Sequence, residues 1–526
     1  MKLPEKGKQE ALVEYAQRLS ELYSRSYNID IRKLKGQIFT PEQVSRFMAS
    51  LFEINNDTLR LLDPGAGTGI LTAAFCERLL KNENIVRLTI DVYETDHNIL
   101  PFLKKVLESC KAELENRGHK VEYNIYEKDY ILCNKNYFTK SDLMWMDMKP
   151  ILYDFIISNP PYYKLNADSL QSTVMMGLIS GQPNIYSLFM ALSASMIKPE
   201  GEMVFITPRS FCSGLYYKKF RQWFLKNVQI SNIHLFESRN EIFDHDAVLQ
   251  ENIIIKAKKT NKHQNVIISE SRNKHFDKIS KVEVQSEDVI FHKNGDIFIR
   301  IPTSSYDLDI LHIVDSWPCT FEKLGLEIST GPVVSFRAEE FLLPELTDNP
   351  KSVPLLWMHN MQEMNVVWPL NKIKKASAIQ VCNETKTLLL PVKNYVLVKR
   401  FTSKEQKRRL YASVLLESEF PYKNVGIENH VNYIHKPNAN LSIYEAFGIA
   451  SILNTTFVDN FFRSLNGNTQ VNATEIRCLP FPDIEHIRDI GKFVYESKSS
   501  LNEVDLDNIV AEILGINLEH KTGEHE

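Results

Sequence analysis

Leu59-Arg60-Leu61-Leu62-Asp63-Pro64-Gly65-Ala66-Gly67-Thr68-Gly69 is the stretch that decides the fold. An apolar run of strand length meets a proline and three alternating glycines, and Ile70 to Leu80 continues with a helical pattern. Strand, glycine-rich turn and helix in that order open a doubly wound, nucleotide-binding sheet. Gly65, Gly67 and Gly69 let the backbone turn tightly and approach a ligand with no Cβ in the way. No Lys-Ser or Lys-Thr pair follows, so cradling of phosphates in the manner of a P-loop is not the expected task.

Working outward, the pattern repeats downstream. Arg87 to Tyr93 reads as a second strand that ends in Glu94-Thr95-Asp96, and an acid at that point is where ribose hydroxyls are gripped in this layout. A helix from Asn98 to Asn116 leads to a third strand, Val121 to Tyr126, and then to Asp129, which can accept from an adenine amino group. Asp63, Glu94 and Asp129 thus recur at three successive strand ends, along the carboxyl edge where such sheets bind ligands. Upstream, Leu12, Val13, Ala16, Leu19 and Tyr23 share one face of a packing helix. Phe39-Thr40-Pro41 then reads as the entrance of a helix running to Phe52, with Thr40 as cap and Pro41 as its first residue. Backbone donors there could meet a carboxylate.

Tyr153 to Ser158 has the length and β-branching of a buried parallel strand, and it stops on Asn159-Pro160-Pro161-Tyr162. Two prolines remove two backbone donors and hold the segment extended. The tetrad is either a turn closing an ordinary strand or a rigid clamp of acceptors. An exocyclic amino group offers two N–H donors, which the Asn159 side-chain oxygen and the Pro160 carbonyl could accept together. Tyr162 could stack on a flat ring. Strands over Met203 to Pro208, Val228 to Phe236 and Glu251 to Lys258, with helices Asn184 to Lys198 and Leu215 to Asn227, complete a sheet of about seven strands.

The composition changes after that sheet. Thr260 to Lys281 is polar and basic, as in a solvated connection or an inserted surface hairpin. From Gly331-Pro332 short strands and turns suggest a separate recognition domain. Its run Lys399-Arg400, Lys407, Arg408 and Arg409, with Tyr395, Phe401 and Tyr411 interleaved, is either a solvated face or a phosphate-contacting surface. Asn468, Gln470 and Asn472 lie in a dense polar set able to bond backbone or base edges. The expected division is 1–30, an N-terminal helical segment; 31–260, the catalytic domain; 261–320, a connection; and 321–526, a mixed target-recognition domain with a helical tail.

With 526 residues, 43% hydrophobic and 24% charged, the chain is long enough for two globular domains. A net charge of −4 gives no global sign of a polyanion partner, but docking depends on the local field. Seven scattered cysteines without paired spacing indicate neither a disulfide framework nor a metal site. No signal peptide or membrane-length apolar run is evident, so a cytoplasmic protein is expected.

The order Phe39-Thr40-Pro41, Asp63 to Gly69, Asn159-Pro160-Pro161-Tyr162 and a long C-terminal region resembles the gamma-class, TaqI-like amino DNA adenine methyltransferases of type II restriction systems. The resemblance covers about residues 33 to 258 and, more loosely, Asn468 to Thr474. It implies an α/β, Rossmann-like seven-stranded sheet and S-adenosylmethionine as cofactor. Phe39, Thr40 and Pro41 would serve the cofactor's methionine end, and Asp63, Pro64, Gly65 and Gly67 the loop beneath it. Glu94 would take the ribose and Asp129 the adenine ring, with Asn159 beside the cofactor. Asn159 to Tyr162 would hold the target adenine, and Phe243 occupies the place of an aromatic that packs on it. The implied partner is double-stranded DNA, read by a monomer without a metal, with a cognate restriction endonuclease as a separate protein. Cytosine-N4 methylation, protein-glutamine methylation and a catalytically silent DNA-binding subunit are the competing readings.

Overall fold

The computed structural model describes residues 3–517, apart from 28–35, 82–83, 85, 140–149, 179–180, 182–183, 238–250, 275, 277, 294, 371–374, 403–405, 468–469 and 498–502. The chain divides into two units, Met1–Thr303 and Ser304–Glu526.

In the first unit, helices α1 (Leu12–Ser26) and α2 (Glu42–Ser50) precede β1 (Thr58–Asp63), and the glycine turn passes into α3 (Ile70–Leu79). Then come β2 (Arg87–Tyr93), α4 (Leu100–Asn116), β3 (Lys120–Tyr126) and β4 (Tyr153–Ser158). Helix α5 (Ile185–Met196) runs directly into β5 (Ile197–Pro208), followed by α6 (Lys218–Asn227), β6 (Gln229–Phe236) and β7 (Asn252–Lys258). The sheet order β3-β2-β1-β4-β5-β7-β6 is parallel from β3 to β5, with β7 antiparallel to both its neighbours. Helices α1 to α4 share one core with alternate strand residues such as Leu61, Ile90, Phe155, Ile157 and Ile206. Strand pleating turns the intervening Leu62 and Ile156 to the other face, where α5 packs on β5.

Two expectations are corrected. Pro41 is the cap of α2 and not its first helical residue: its backbone is extended (φ −63, ψ 153), and its carbonyl accepts from the Ser45 amide at 2.9 Å and the Ser45 hydroxyl at 3.0 Å. The sheet also does not stop at seven strands. Strands β8 (Val266–Ser271) and β9 (Ile279–Val284) extend it to nine, β8 parallel to β6 and β9 antiparallel to β8. Two serines of this polar and basic segment serve a buried ring. His234 Nδ1 and Nε2 lie 2.8 and 3.0 Å from the Ser269 and Ser271 hydroxyls, among Phe47, Phe236 and Phe276. Burial pushes the His234 imidazole down to about 3, so it stays neutral. A small hairpin, β10 (Ile290–Lys293) and β11 (Asp296–Ile299), closes the unit at Thr303, well beyond residue 260.

The second unit holds a six-stranded and a five-stranded sheet with separate apolar clusters and several helices. Helices Ile443–Leu453 and Ile484–Glu496 cross at Gly448 and Gly491. Among the described residues no helix is long and apolar enough to cross a membrane, and no group of three or more His, Cys, Asp or Glu could hold a metal ion.

Candidate active site

The ends of β1, β2, β3 and β4 converge on one cavity of about 520 Å³. Its floor is the glycine turn, in which Gly67 (φ 53) and Gly69 (φ 89) are left-handed, a conformation that a Cβ penalises. A Cβ on Gly67 would come within 3.3 Å of Phe39, which lines the cavity. Pro64, Gly65 and Thr40 also line it.

Asp63 lies under the turn, fully buried, and its Oδ2 accepts from the Thr72 hydroxyl at 2.9 Å. Burial pushes its carboxyl up to about 7. The folded chain thus retains a proton here that the unfolded chain releases near its ordinary value of 3.8. The resulting stability is complete below that value and is lost as pH rises through 7. Asp63→Asn cannot ionise, so its thermal midpoint should fall less than the wild type's between about pH 5 and about pH 8. An unchanged slope would contradict this account.

Glu94 lines the cavity with a carboxylate already held by three backbone donors. Oε2 accepts from the Gly67 amide at 3.0 Å, and Oε1 from the Thr95 and Asp96 amides, both at 2.8 Å. Burial raises its pKa against the pull of those donors. A carboxylate has about four lone-pair positions, so one remains for a ligand. Asp129 caps the short helix Tyr130–Cys133 through Oδ1 (Leu132 amide, 2.8 Å), while Oδ2 accepts from Gln171 Nε2 at 3.0 Å.

Asn159 is pinned in one orientation. Its Nδ2 donates to the Ile38 carbonyl at 2.9 Å and the buried Thr40 hydroxyl at 3.1 Å, and its Oδ1 accepts from the Tyr162 hydroxyl at 2.6 Å. That hydroxyl also lies 2.8 Å from the Ile206 carbonyl, and burial holds it well above the usual phenol range, as a neutral donor. Tyr162 therefore serves the amide as well as offering a ring. Asn159 and Pro161 line the cavity; Pro160 is buried beside them.

Sequence reasoning missed Gln37, Asp96 and Phe189. Gln37 Nε2 donates to Asp96 Oδ2 at 2.8 Å, and its Oε1 is buried with no hydrogen-bond partner among the described residues. Both residues line the cavity, and both stand within two positions of a residue that was singled out. Phe189, read as helix packing, lies over the turn, 3.6 Å from where a Gly65 Cβ would be. The acceptors Gln37, Glu94 and Asp129 suit the ammonium, ribose hydroxyl and amino donors of an adenosylated amino acid.

In the second unit the basic run does not form one surface. Arg408 and Arg409 are buried, 7% and 1% exposed, which corrects their reading as DNA contacts. The Arg409 amide donates to Asp459 Oδ1 at 2.7 Å, and its guanidinium reaches Thr402 Oγ1 at 3.2 Å and Asn466 Oδ1 at 3.3 Å. A buried carboxylate from a later helix draws the segment inward. Lys407 is exposed, Lys399 lies over the Tyr411 ring at 3.6 Å, and Arg400 donates to the Asn429 carbonyl at 3.0 Å. The backbone carbonyl of Gln470 accepts from Asn466 Nδ2 at 2.8 Å, and Asn472 caps the helix Ala473–Arg477 together with Glu475. Phe243 and Asn468 lie outside the described residues.

A 3-2-1-4-5-7-6 strand core with a glycine turn and acids at its carboxyl edge defines a Rossmann-like methyltransferase class. The family described as Eco57I restriction-modification methylase matches residues 50–243. The type II methyltransferase M.PstI of Providencia stuartii is 35% identical over 482 residues, 90% of this chain and 92% of that protein. M.BsuBI of Bacillus subtilis is 35% identical over 494 residues, covering 91% and 94%. The fold is similar to that of the type IIL restriction-modification enzyme MmeI, solved in complex with DNA, with a TM-score of 0.54 at 11% identity over 95% of this chain and 74% of that one. The chain belongs to the type II restriction-modification methyltransferases, enzymes that act on DNA with S-adenosylmethionine.

Proposed function

We propose that the chain is a site-specific DNA adenine-N6 methyltransferase. It acts as a monomer on duplex DNA and protects its sites from a cognate endonuclease made as a separate protein. The observation that carries this reading is the fixed amide of Asn159: its nitrogen is engaged by Ile38 and Thr40, so the end available to an amino group is the oxygen. That oxygen keeps a second lone pair beside the Tyr162 bond.

S-adenosylmethionine, when bound, supplies an electrophilic methyl on a sulfonium. Glu94 would accept from one ribose hydroxyl and Asp129 from the adenine amino group. Phe39, Thr40, Pro41 and the Gln37 oxygen would hold the amino-acid end, over a floor shaped by Asp63, Pro64, Gly65 and Gly67. The target base is inside the duplex, so the nucleotide is extruded at a cost of about a few kcal/mol. Stacking on Tyr162, and on Phe243 as the family resemblance implies, returns about 1–3 kcal/mol per contact. The Asn159 oxygen and the Pro160 carbonyl accept both amino hydrogens and favour a pyramidal nitrogen with its lone pair free. Positioning supplies most of the acceleration, and the fixed acceptor dipoles stabilise the charge that develops on nitrogen. Lys399, Arg400 and Lys407 would contact phosphates, and Gln470 and Asn472 the neighbouring backbone or bases.

Sequencing that detects modified bases in plasmid DNA from expressing cells tests the reading. N6-methyladenine at one short recurring sequence is expected; methylated cytosine there, or unmodified DNA, overturns it. Glu94→Ala should weaken S-adenosylmethionine binding by about ten- to a hundredfold in titration calorimetry, the size of a lost hydrogen bond to a charged group. Its affinity for DNA should be unaffected.

A further inference from the structure

Leu215 and Tyr216 are large apolar residues left 57% and 59% exposed on one short turn, Leu215–Tyr217. The turn is rigid. A Cβ on Gly214 would lie 2.6 Å from the Ser210 carbonyl, so the backbone is closely packed there. Arg221, fully buried in α6, donates to the Phe211 carbonyl at 2.9 Å and the Gly214 carbonyl at 2.7 Å, and pairs with Asp296 at 3.0 Å. The β10–β11 hairpin thus braces the turn from behind.

The turn is also wired to the tetrad. The Tyr217 ring stacks on Tyr186 at 5.7 Å, and Tyr186 meets the Tyr162 ring edge-on at 6.2 Å. The Tyr186 hydroxyl lies 2.9 Å from the Ser210 hydroxyl. Tyr216 packs on Gly181, where a Cβ would come within 2.7 Å of its ring. Met176, 66% exposed, lies on a second short turn that packs against α6. Lys218 and Lys219 come next in the chain after Tyr217, at the start of α6, Lys219 exposed.

We propose that Leu215 and Tyr216 form a wedge that enters duplex DNA beside the extruded nucleotide and fills the space it leaves in the stack. Lys218 and Lys219 then meet the adjoining phosphates. Apolar side chains inserted between base steps are an established way of unstacking a duplex, and a rigid mount keeps the inserted pair from folding back. The occupant is DNA because two lysines follow the turn and aromatic contacts run from its last residue, Tyr217, through Tyr186 to the base clamp. The inference rests on the extrusion step of the function proposed above.

For the test, the methylated position is first mapped in plasmid DNA from expressing cells, whichever base carries it. Two duplexes containing the site are then compared, one fully paired and one with an abasic residue opposite the target. The double variant Leu215→Ala/Tyr216→Ala should lose about tenfold or more in kcat/KM on the paired duplex and stay within about twofold of the wild type on the abasic one. Tyr216→Phe should behave as the wild type on both, and Lys219→Ala should weaken binding to both alike. Unchanged S-adenosylmethionine affinity of the double variant excludes misfolding as the cause. Equal losses on the two duplexes, or no loss on either, overturn the wedge. A methylated cytosine at the mapped position would instead overturn the adenine reading and leave this comparison valid.

Discussion

Asn159→Ala is expected to lower methyl transfer by about two to three orders of magnitude, the effect of deleting one preorganised group that stabilises transition-state charge. S-adenosylmethionine binding should fall far less than turnover, because the hydrogen bonds that position Glu94 and Asp129 do not involve the amide. Labelled-methyl incorporation into DNA and titration calorimetry separate the two effects; turnover within about tenfold of the wild type would refute the clamp. The Tyr162 hydroxyl sharpens the point. It donates to the Asn159 oxygen at 2.6 Å, so Tyr162→Phe should give a partial loss by loosening an acceptor that remains present.

Gly448→Ala and Gly491→Ala should each destabilise the second unit beyond the usual overpacking cost of about 1–3 kcal/mol. An added Cβ would lie 1.9 Å from the Ile487 carbonyl oxygen in the first case and 1.8 Å from the Tyr444 carbonyl oxygen in the second. Both obstacles are backbone, so no side-chain rotation relieves them and the two helices must separate. Gly177, with nothing within 4 Å of its Cβ direction, is the control, and its alanine variant should stay within about 0.5 kcal/mol. Thermal unfolding reads all three; a shift at Gly448 no larger than that at Gly177 would mean the crossing is looser than described.

The parts of the site read from the sequence are those whose cause is local. β2 and β4 run over the residues expected of them, and β1 begins one residue earlier, because strands buried on both faces are short apolar runs that stop at glycine, acid or proline. The acids at those stops meet at one cavity, apart from Asp63, which supports the turn from below. What escaped depends on partners far along the chain. Arg409 looks like a surface cation until its amide is tied to Asp459, fifty residues on, and its guanidinium to Asn466. The second function of Tyr162 needs the Ile206 carbonyl of another strand. Strand β8 hid inside a polar and basic stretch, and composition alone cannot show that its Ser269 and Ser271 face a buried histidine.

The β8–β9 pair also determines where the polypeptide can be cut. A fragment ending at residue 260 would leave β6 with a bare row of amide and carbonyl groups and His234 without its two hydroxyl partners, a ribbon ready to template on its own copies. The intact chain instead finishes that side with β9, whose exposed Lys281 and Glu283 discourage self-association. Fragments carried through to residue 303 should therefore stay dispersed where shorter ones precipitate.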